Sequence, residues 1–208
     1  MRKTEKPVTR IFTTRKVVAL TFDACETVHP SYFDTRILNF LISYSVPSTI
    51  FVSGKFALRN AGTLKKISAF PFFEIENHSF NHYLHMERLP DPQIVSEVKT
   101  TEEIILSITG YRTRFFRFPG GNYNTHALEI VESLGYRVIQ WTFPSGDPDK
   151  HASALKLFQW VTWKTRPGDI LIFHINGRGW HTHEALPRIY TYLIRRGYKF
   201  VKIEDVIH

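Results

Sequence analysis

His78 and His82 are four residues apart, and their type and spacing suggest metal binding. On one helical turn this spacing would place two imidazoles side by side, which suits a divalent metal ion. The alternative is two surface or capping histidines. Asp23 follows an apolar segment and is a candidate third metal ligand or general base. A lone aspartate in this position can also be a simple cap.

Two further side chains follow apolar or aromatic segments. His174 comes after an apolar run and is a candidate general acid near neutral pH, or a hydrogen-bonded core histidine. Arg117 lies among aromatic residues and needs an acidic partner if it is buried, with Asp23 and Asp147 available.

Adjacent glycines give a third kind of candidate. Gly120 and Gly121 allow a close backbone approach to a ligand, so an N–H there could stabilise an oxyanion. A plain tight turn is the alternative.

The elements that must position these residues alternate along the chain. Seven apolar segments are typical of strands: 17–22, 48–52, 72–75, 115–116, 136–141, 169–173 and 198–201. Helical spacing and capping residues predict helices between them: 34–45, 58–69, 91–110, 125–134, 151–164 and 184–196. This order predicts an α/β fold with a parallel sheet, either open or closed into a barrel. Both architectures place ligands at the carboxyl ends of strands, where the candidate residues lie.

Composition sets the broad class. With 208 residues, 43% apolar and 22% charged, the chain is predicted to be one globular domain, 1–208, with an amino-terminal extension over 1–15. One cysteine excludes an internal disulfide and an all-cysteine zinc site. We expect no transmembrane segment and no signal peptide within residues 1–16. The net charge of +8 is compatible with a solvated basic surface and with attraction to an anionic partner, and no motif indicates nucleic acid. The sequence does not indicate an oligomeric state.

Four segments in order resemble the motifs of polysaccharide deacetylases, carbohydrate esterase family 4. They are Thr-Phe-Asp at 21–23, His-Ser-Phe-Asn-His at 78–82, Arg-Phe-Pro-Gly-Gly at 117–121 and Ile-Phe-His at 172–174. The resemblance extends over residues 16–207. It implies a distorted (β/α) barrel, which agrees with about seven parallel strands.

The resemblance also implies an activity, hydrolysis of the N-acetyl groups of an amino-sugar glycan to an amine and acetate. It assigns the catalytic base to Asp23 and the general acid to His174. His78 and His82 would bind a divalent metal, with zinc expected first and cobalt or nickel also compatible. Because such enzymes usually work outside the cytoplasm, an extracytoplasmic or cell-envelope location is expected.

The remaining matched residues receive supporting roles by the same resemblance. Arg117 would orient the base, and Asp147 would support His174 or the arginine. The backbone at Gly120 and Gly121 would help to hold the oxyanion, and Trp141 would form a wall of the pocket.

One departure from the family pattern concerns the metal. The family usually has a second aspartate, a metal ligand, where this chain has Ala24. We expect Asp23, His78 and His82 as the ligand set, with substitution by Cys25 or Glu26, or a weak or absent metal, as alternatives.

Other departures lie further along the chain. Pro148 stands where the family often has tryptophan, and Ile175-Asn176 replaces an acidic residue after His174. Segment 177–183 is either a cover over the pocket, with Arg178 or Trp180 touching substrate, or an ordinary connection. Trp160 and Trp163 are predicted to pack in the core.

Two other functions stay open at this point. The loss of the second aspartate is compatible with a degenerate, non-catalytic glycan-binding domain. The same fold could also carry metal-independent hydrolysis of another amide, such as a formamide or a cyclic ureide.

Overall fold

Eight parallel strands form one curled sheet in the computed structural model, which describes residues 6–207. The strands are β1 (Val17–Ala24), β2 (Ser48–Val52), β3 (Phe73–Asn77), β4 (Phe115–Phe116), β5 (Arg137–Val138), β6 (Phe143–Pro144), β7 (Ile170–His174) and β8 (Lys199–Val201). Their order is β5-β4-β3-β2-β1-β7-β6, and β8 pairs with the start of β1. Seven of them were predicted. The sequence does not indicate β6, because it is two residues long and contains a proline.

Helices connect the strands and cover the outside of the sheet. They are α1 (Thr35–Ser43), α2 (Gly54–Arg59), α3 (Ala61–Ile67), α4 (Asp91–Thr109), α5 (Thr125–Ser133), α6 (Ala154–Lys164) and α7 (Thr182–Arg195). The predicted single helix 58–69 is wrong, because Asn60 ends α2 and precedes α3. Its side-chain amide donates to the Phe56 and Ser31 carbonyls and fixes the break. No helix of residues 6–207 is long and apolar enough to cross a membrane.

Strand β1 is buried along its whole length, and its two faces have different surroundings. Leu20 and Phe22 pack in the large apolar cluster that includes residues of the outer helices. Ala19 belongs to a second cluster, together with Phe51 and Ile170 of the neighbouring strands. Because side chains alternate along a strand, Asp23 shares the face of Ala19. The pleat therefore turns this carboxylate away from the outer helices.

Residues before β1 contact both β5, at one end of the sheet, and the turn that precedes β7. The Val8 N–H donates to the Val138 carbonyl of β5, and the Ile11 N–H donates to the Gly168 carbonyl just before β7. A side chain at Gly168 would place its Cβ 2.2 Å from the Ile11 oxygen, so this approach requires glycine. Part of the predicted extension 1–15 therefore pairs with the sheet, whereas residues 1–5 lie outside the described part.

The curled parallel sheet with its outer helices is the predicted distorted (β/α) barrel.

The prediction that Trp160 and Trp163 are core residues is wrong. Their side chains are 38% and 66% exposed, and the ring centroids lie 6.0 Å apart on the surface of α6. Both line a surface cavity of about 870 Å³. The apolar face of α6 instead buries Leu157 and Val161, one helical turn apart.

Candidate active site

Asp23 and His174 lie side by side at the carboxyl ends of two adjacent strands. In the parallel register of β1 and β7, Asp23 is the direct neighbour of His174. Asp23 is buried, whereas His174 is partly exposed to solvent. A carboxylate and an imidazole are thus placed next to each other at the edge of the sheet where such folds bind ligands.

Arg117 is the partner of Asp23. Its guanidinium is fully buried and donates from Nη1 to Asp23 Oδ1 over 2.7 Å. It also donates to the Thr21 hydroxyl and to the backbone carbonyls of Ile139 and Gln140, so the buried charge is well satisfied. Burial alone would raise the pKa of Asp23, but the basic neighbours, Arg117 among them, outweigh it and hold that pKa below its ordinary value. Asp23 is therefore ionised at neutral pH.

Asp147 orients His174. The carboxylate accepts from His174 Nδ1 over 2.9 Å and from the backbone N–H of the same residue over 2.6 Å. The hydroxyls of Ser145 and Thr182 also donate to Asp147, which is 1% exposed. Burial lowers the pKa of His174, but the bond and charge of Asp147 outweigh it, so the pKa lies above its ordinary value. His174 is therefore protonated to a larger extent near neutral pH than a free histidine is.

His78 and His82 come together with ring centroids 4.8 Å apart, but not on a helical turn as their spacing suggested. Ser79 and His82 have left-handed backbone angles, with φ of 64° and 56°. Glu97 of α4 holds this turn by accepting from the Phe80 and Asn81 amides. Non-glycine residues rarely adopt this conformation, and those that do are enriched at functional sites.

Both imidazoles are neutral and have an unpartnered buried nitrogen. The Arg117 carbonyl accepts from His78 Nδ1 over 2.8 Å, which leaves Nε2 as a lone-pair donor without a hydrogen bond. Nδ1 of His82 is also buried without a partner. Burial is the main cause that lowers the pKa of both histidines, that of His82 to about 3. Neutral imidazoles of this kind are what a divalent metal requires.

The third ligand is missing from this arrangement. Among residues 6–207, no group of three His, Cys, Asp or Glu side chains is placed to hold a metal ion. Ala24 is fully buried in the outer apolar cluster. Asp23 Oδ2 lies 3.4 Å from His78 Nε2, but the other oxygen of Asp23 is engaged with Arg117. The described residues therefore do not form the three-ligand metal site of the family pattern.

Neither alternative ligand takes the place of the missing carboxylate. Burial raises the pKa of Cys25 to about 11, so it is a thiol rather than a thiolate. Glu26 is engaged with Arg59, which donates to both of its carboxylate oxygens. The structure thus supports neither Cys25 nor Glu26 as a ligand.

Gly120 and Gly121 form a tight 3-10 turn after β4, with φ of 62° and 73°. The Gly121 N–H donates to the Phe118 carbonyl, so this amide is already engaged. A side chain at Gly121 would place its Cβ 2.6 Å from the Trp141 ring. This glycine allows Trp141 to approach, and Trp141 lies against Arg117 with its ring centroid 5.7 Å from the guanidinium carbon. The oxyanion role of the glycines stays a prediction.

The sequence reasoning missed three residues that hold the site. Thr21 accepts from Arg117, Glu97 fixes the histidine turn and Thr182 donates to Asp147. Thr21 could have been found, because it lies two residues before Asp23 and so on the same face of the strand. Glu97 and Thr182 lie on helices far along the chain, and nothing in their local sequence marks them.

A sequence model described as polysaccharide deacetylase matches residues 11–139. The chain belongs to the polysaccharide deacetylase family. Asp23, the histidine pair and Arg117 fall inside the match, whereas Asp147 and His174 lie beyond it and take their place in the site from the structure.

Several relatives of this deacetylase-family chain are named as deacetylases. It is 27% identical over 198 residues to a peptidoglycan-N-acetylmuramic acid deacetylase, PdaA, of Bacillus subtilis, covering 94% of this chain and 73% of that one. It is also 27% identical over 192 residues to a bifunctional xylanase/deacetylase of Pseudobutyrivibrio xylanivorans. That alignment covers 92% of this chain but only 30% of the xylanase/deacetylase.

Solved structures give the same fold. A pseudoenzyme of carbohydrate esterase family 4 from Bacillus anthracis superimposes with a TM-score of 0.85 at 27% identity, covering 98% of this chain and 69% of that one. A mutant of that pseudoenzyme is described as having restored enzymatic activity. The deacetylase-family chain is thus similar both to proteins named as deacetylases and to one named as a pseudoenzyme.

Proposed function

We propose that this chain hydrolyses the N-acetyl amide of an amino-sugar glycan, releasing acetate. The observation that carries the proposal is the pairing of Asp23 with His174 across β1 and β7, each held by its own buried partner. A carboxylate kept ionised beside an imidazole kept protonated is the combination that acid–base hydrolysis needs.

The roles follow from the protonation of the two groups. Asp23 takes a proton from the attacking water, while Arg117 keeps the carboxylate ionised and fixes its orientation. His174 gives its proton to the departing nitrogen, which could not otherwise leave as an amine. Asp147 keeps His174 in the orientation and protonation state that this donation requires.

Peptidoglycan is the glycan we propose, with activity outside the cytoplasm. This assignment is supported by relatives named for N-acetylmuramic acid and N-acetylglucosamine units of peptidoglycan. The net charge of +8 adds attraction to an anionic polymer.

The ligand set Asp23, His78 and His82 and the choice of zinc stay predictions. Two of these three side chains are neutral buried imidazoles. Ala24 leaves the set without the second carboxylate of the family pattern.

Acetate release tests the proposal. Protein freed of metal on a chelating resin is assayed on N-acetylglucosamine oligomers and on peptidoglycan, alone and with added zinc, cobalt or nickel. We expect release by the wild type and none above background from Asp23→Asn or His174→Ala. Circular dichroism checks that both variants are folded. Full activity in either folded variant would contradict the assigned roles.

A non-catalytic glycan-binding domain is the second candidate, and Ala24 is the observation that favours it. It predicts binding of the oligomers with no release under any metal. An Ala24→Asp variant assayed beside the wild type separates the two functions. Release only in the variant would make the wild type a binding protein, whereas release by the wild type excludes this candidate. Metal-independent hydrolysis of formamides or cyclic ureides, with N-acetylated sugars left intact, would identify the third function.

A further inference from the structure

A surface cavity of about 870 Å³ takes no part in the acid–base chemistry of Asp23 and His174. The exposed rings of Trp160 and Trp163 line it, together with Tyr192 of α7 and residues 144–146 at the end of β6. Ligand pockets in proteins have volumes of roughly 300–1,000 Å³ and are mostly apolar, with a few polar groups. The cavity matches such pockets in its size and in its aromatic lining.

Trp160 has a fixed orientation although its ring is partly exposed. The indole N–H donates to the Pro144 carbonyl over 2.9 Å, which ties the ring to β6. Nζ of Lys164 lies 4.4 Å from the centroid of the same ring, in a cation–π contact. The Trp163 ring extends this aromatic surface, with its plane tilted by 37° from that of Trp160. Because a ring that is already ordered loses little entropy on binding, the surface is preorganised for a ligand.

The cavity adjoins the residues that hold the catalytic acid. Ser145 lines the cavity, and its hydroxyl donates to Asp147 Oδ1 over 3.0 Å. The Asp147 carboxylate in turn accepts from His174 Nδ1. The same loop therefore forms an edge of the cavity and orients the imidazole that protonates the leaving nitrogen. A polymer that is bound at His174 has this aromatic surface beside it.

The lining of the cavity fits a sugar polymer that carries acidic groups. A pyranose ring presents C–H groups on its faces, which pack against aromatic rings, and hydroxyls at its edge. Gln159 is exposed at the cavity, and its amide can both donate to and accept from hydroxyls. Lys156 lines the cavity and Lys164 lies over Trp160, so positive charge borders the rings. An anionic glycan therefore matches the cavity in shape, polarity and charge.

We propose that Trp160 and Trp163 form a second binding site for the peptidoglycan strand, in which sugar units remote from the reacting N-acetyl group stack on the indole rings. The site holds the polymer without contacting the bond that breaks, so it lowers KM for a polymer and leaves kcat unchanged. The identity of the ligand rests on the proposed function, whereas binding at the cavity can be measured without turnover.

The indole N–H signals of the four tryptophans in NMR spectra are the first measurement. Labelled protein is titrated with soluble peptidoglycan strands, and replacement of each tryptophan by phenylalanine assigns the signals. We expect the signals of Trp160 and Trp163 to shift. Shifts confined to Trp141, which lies against Arg117, and to Trp180 on the loop after β7 would overturn the proposal. Shifts that follow protein concentration without added strands would assign this face to contact between two copies, and would overturn it too.

The affinity of folded variants is the second measurement. Trp163→Ala removes an exposed ring, so the variant should fold, which circular dichroism checks. Binding of the strands should weaken about tenfold, the loss expected for one stacked ring. Tyr111→Ala removes an exposed ring at a separate cavity beside β3, and this matched control should bind as the wild type does. Wild-type affinity in Trp163→Ala would refute the proposal.

Turnover separates this site from the catalytic residues. In Trp163→Ala, KM for the strands should rise severalfold while kcat stays the same. The constants for an N-acetylglucosamine disaccharide should not change, because its units occupy only the catalytic residues. A loss of kcat on the disaccharide would place Trp163 in the catalytic machinery and contradict the proposal. No turnover by the wild type on any glycan would refute the proposed function, and the two binding measurements would still decide whether the cavity binds the strands.

Discussion

At the scale of single residues, the protonation of His174 depends on one carboxylate. Burial lowers its pKa, and the Asp147 bond more than compensates. In Asp147→Asn the burial remains and the opposing charge is lost, so the pKa should fall. A general acid works only while protonated, so the loss of activity on raising the pH should begin about one pH unit or more lower. The pH profile of kcat/KM measures this shift.

Asp149, two residues after Asp147, provides the control for this prediction. Asp149 is exposed and its carboxylate accepts from the backbone amide of His151, so Asp149→Asn should keep the wild-type profile. An unchanged profile in Asp147→Asn would mean that His174 is not the acid whose titration limits the reaction.

Arg117 carries a stability prediction of its own. Arg117→Lys keeps the charge but loses the fork that satisfies Asp23, Thr21 and two backbone carbonyls. A buried charge with lost partners is costly, so we expect the free energy of unfolding to fall by about 3–5 kcal/mol in denaturant titrations.

An exposed arginine provides the comparison. The Arg36 side chain is 63% exposed and pairs with Asp34, so Arg36→Lys should cost less than about 1 kcal/mol. Equal losses in the two variants would show that burial does not set the cost at Arg117.

The structure brings together most of the candidate site residues that the sequence suggested, and the exceptions have physical reasons. Asp23, His174 and Arg117 were found because each follows an apolar strand, and strand ends converge in a parallel fold. The sequence did not decide whether Asp23 or Asp147 is the partner of Arg117. This choice depends on the order of the strands in the sheet, which the local sequence does not encode. The left-handed turn at Ser79 and His82 was missed for the same reason: Glu97, far along the chain, stabilises it.

At the scale of elements, strand β3 places two carboxylates where a strand normally has apolar side chains. Glu74 and Glu76 are 5% and 3% exposed and share one face of β3. Burial raises the pKa of Glu74 to about 7, against hydrogen bonds from Thr49 and from the backbone of Ile203. Burial also raises the pKa of Glu76.

The buried Glu74 carboxyl makes stability depend on pH. The folded state keeps the proton up to about pH 7, whereas the unfolded chain loses it near its ordinary pKa of 4.5. Stability should therefore fall as pH rises between these values, and the loss is complete above the folded pKa. Thermal unfolding at pH 4.5 to 8 should show this slope in the wild type and a smaller one in Glu74→Gln.

Other groups near Glu74 decide how the test is controlled. Glu76, Lys202, Glu204 and Arg114 line the same cavity, so part of the slope can persist in the variant. Glu103 is an exposed glutamate of α4, and Glu103→Gln should leave the wild-type slope intact. A slope in Glu74→Gln as steep as in the wild type would assign the effect to those neighbours.

The sequence predicted helix bounds well where start and stop signals are strong. It did not predict which helix face is buried, because that depends on tertiary contacts. The long helix α4 was found within a residue of its ends, because Asp91-Pro92 begins it and Gly110 in a left-handed conformation ends it. The exposure of Trp160 and Trp163 was missed, because a helix with apolar residues on more than one face does not reveal which face the barrel covers.

At the scale of the whole molecule, the net charge of +8 should strengthen binding of the proposed anionic substrate, peptidoglycan. Charges on the surface attract an anionic polymer over roughly a Debye length, about 10 Å at 0.1 M salt. Added salt should therefore raise KM for peptidoglycan severalfold between about 0.02 and 0.3 M, with kcat nearly constant. A short neutral N-acetylglucosamine oligomer is the matched substrate, and its KM should hardly change. If salt lowers kcat on both substrates alike, it acts on the catalytic residues rather than on attraction between the basic surface and the polymer.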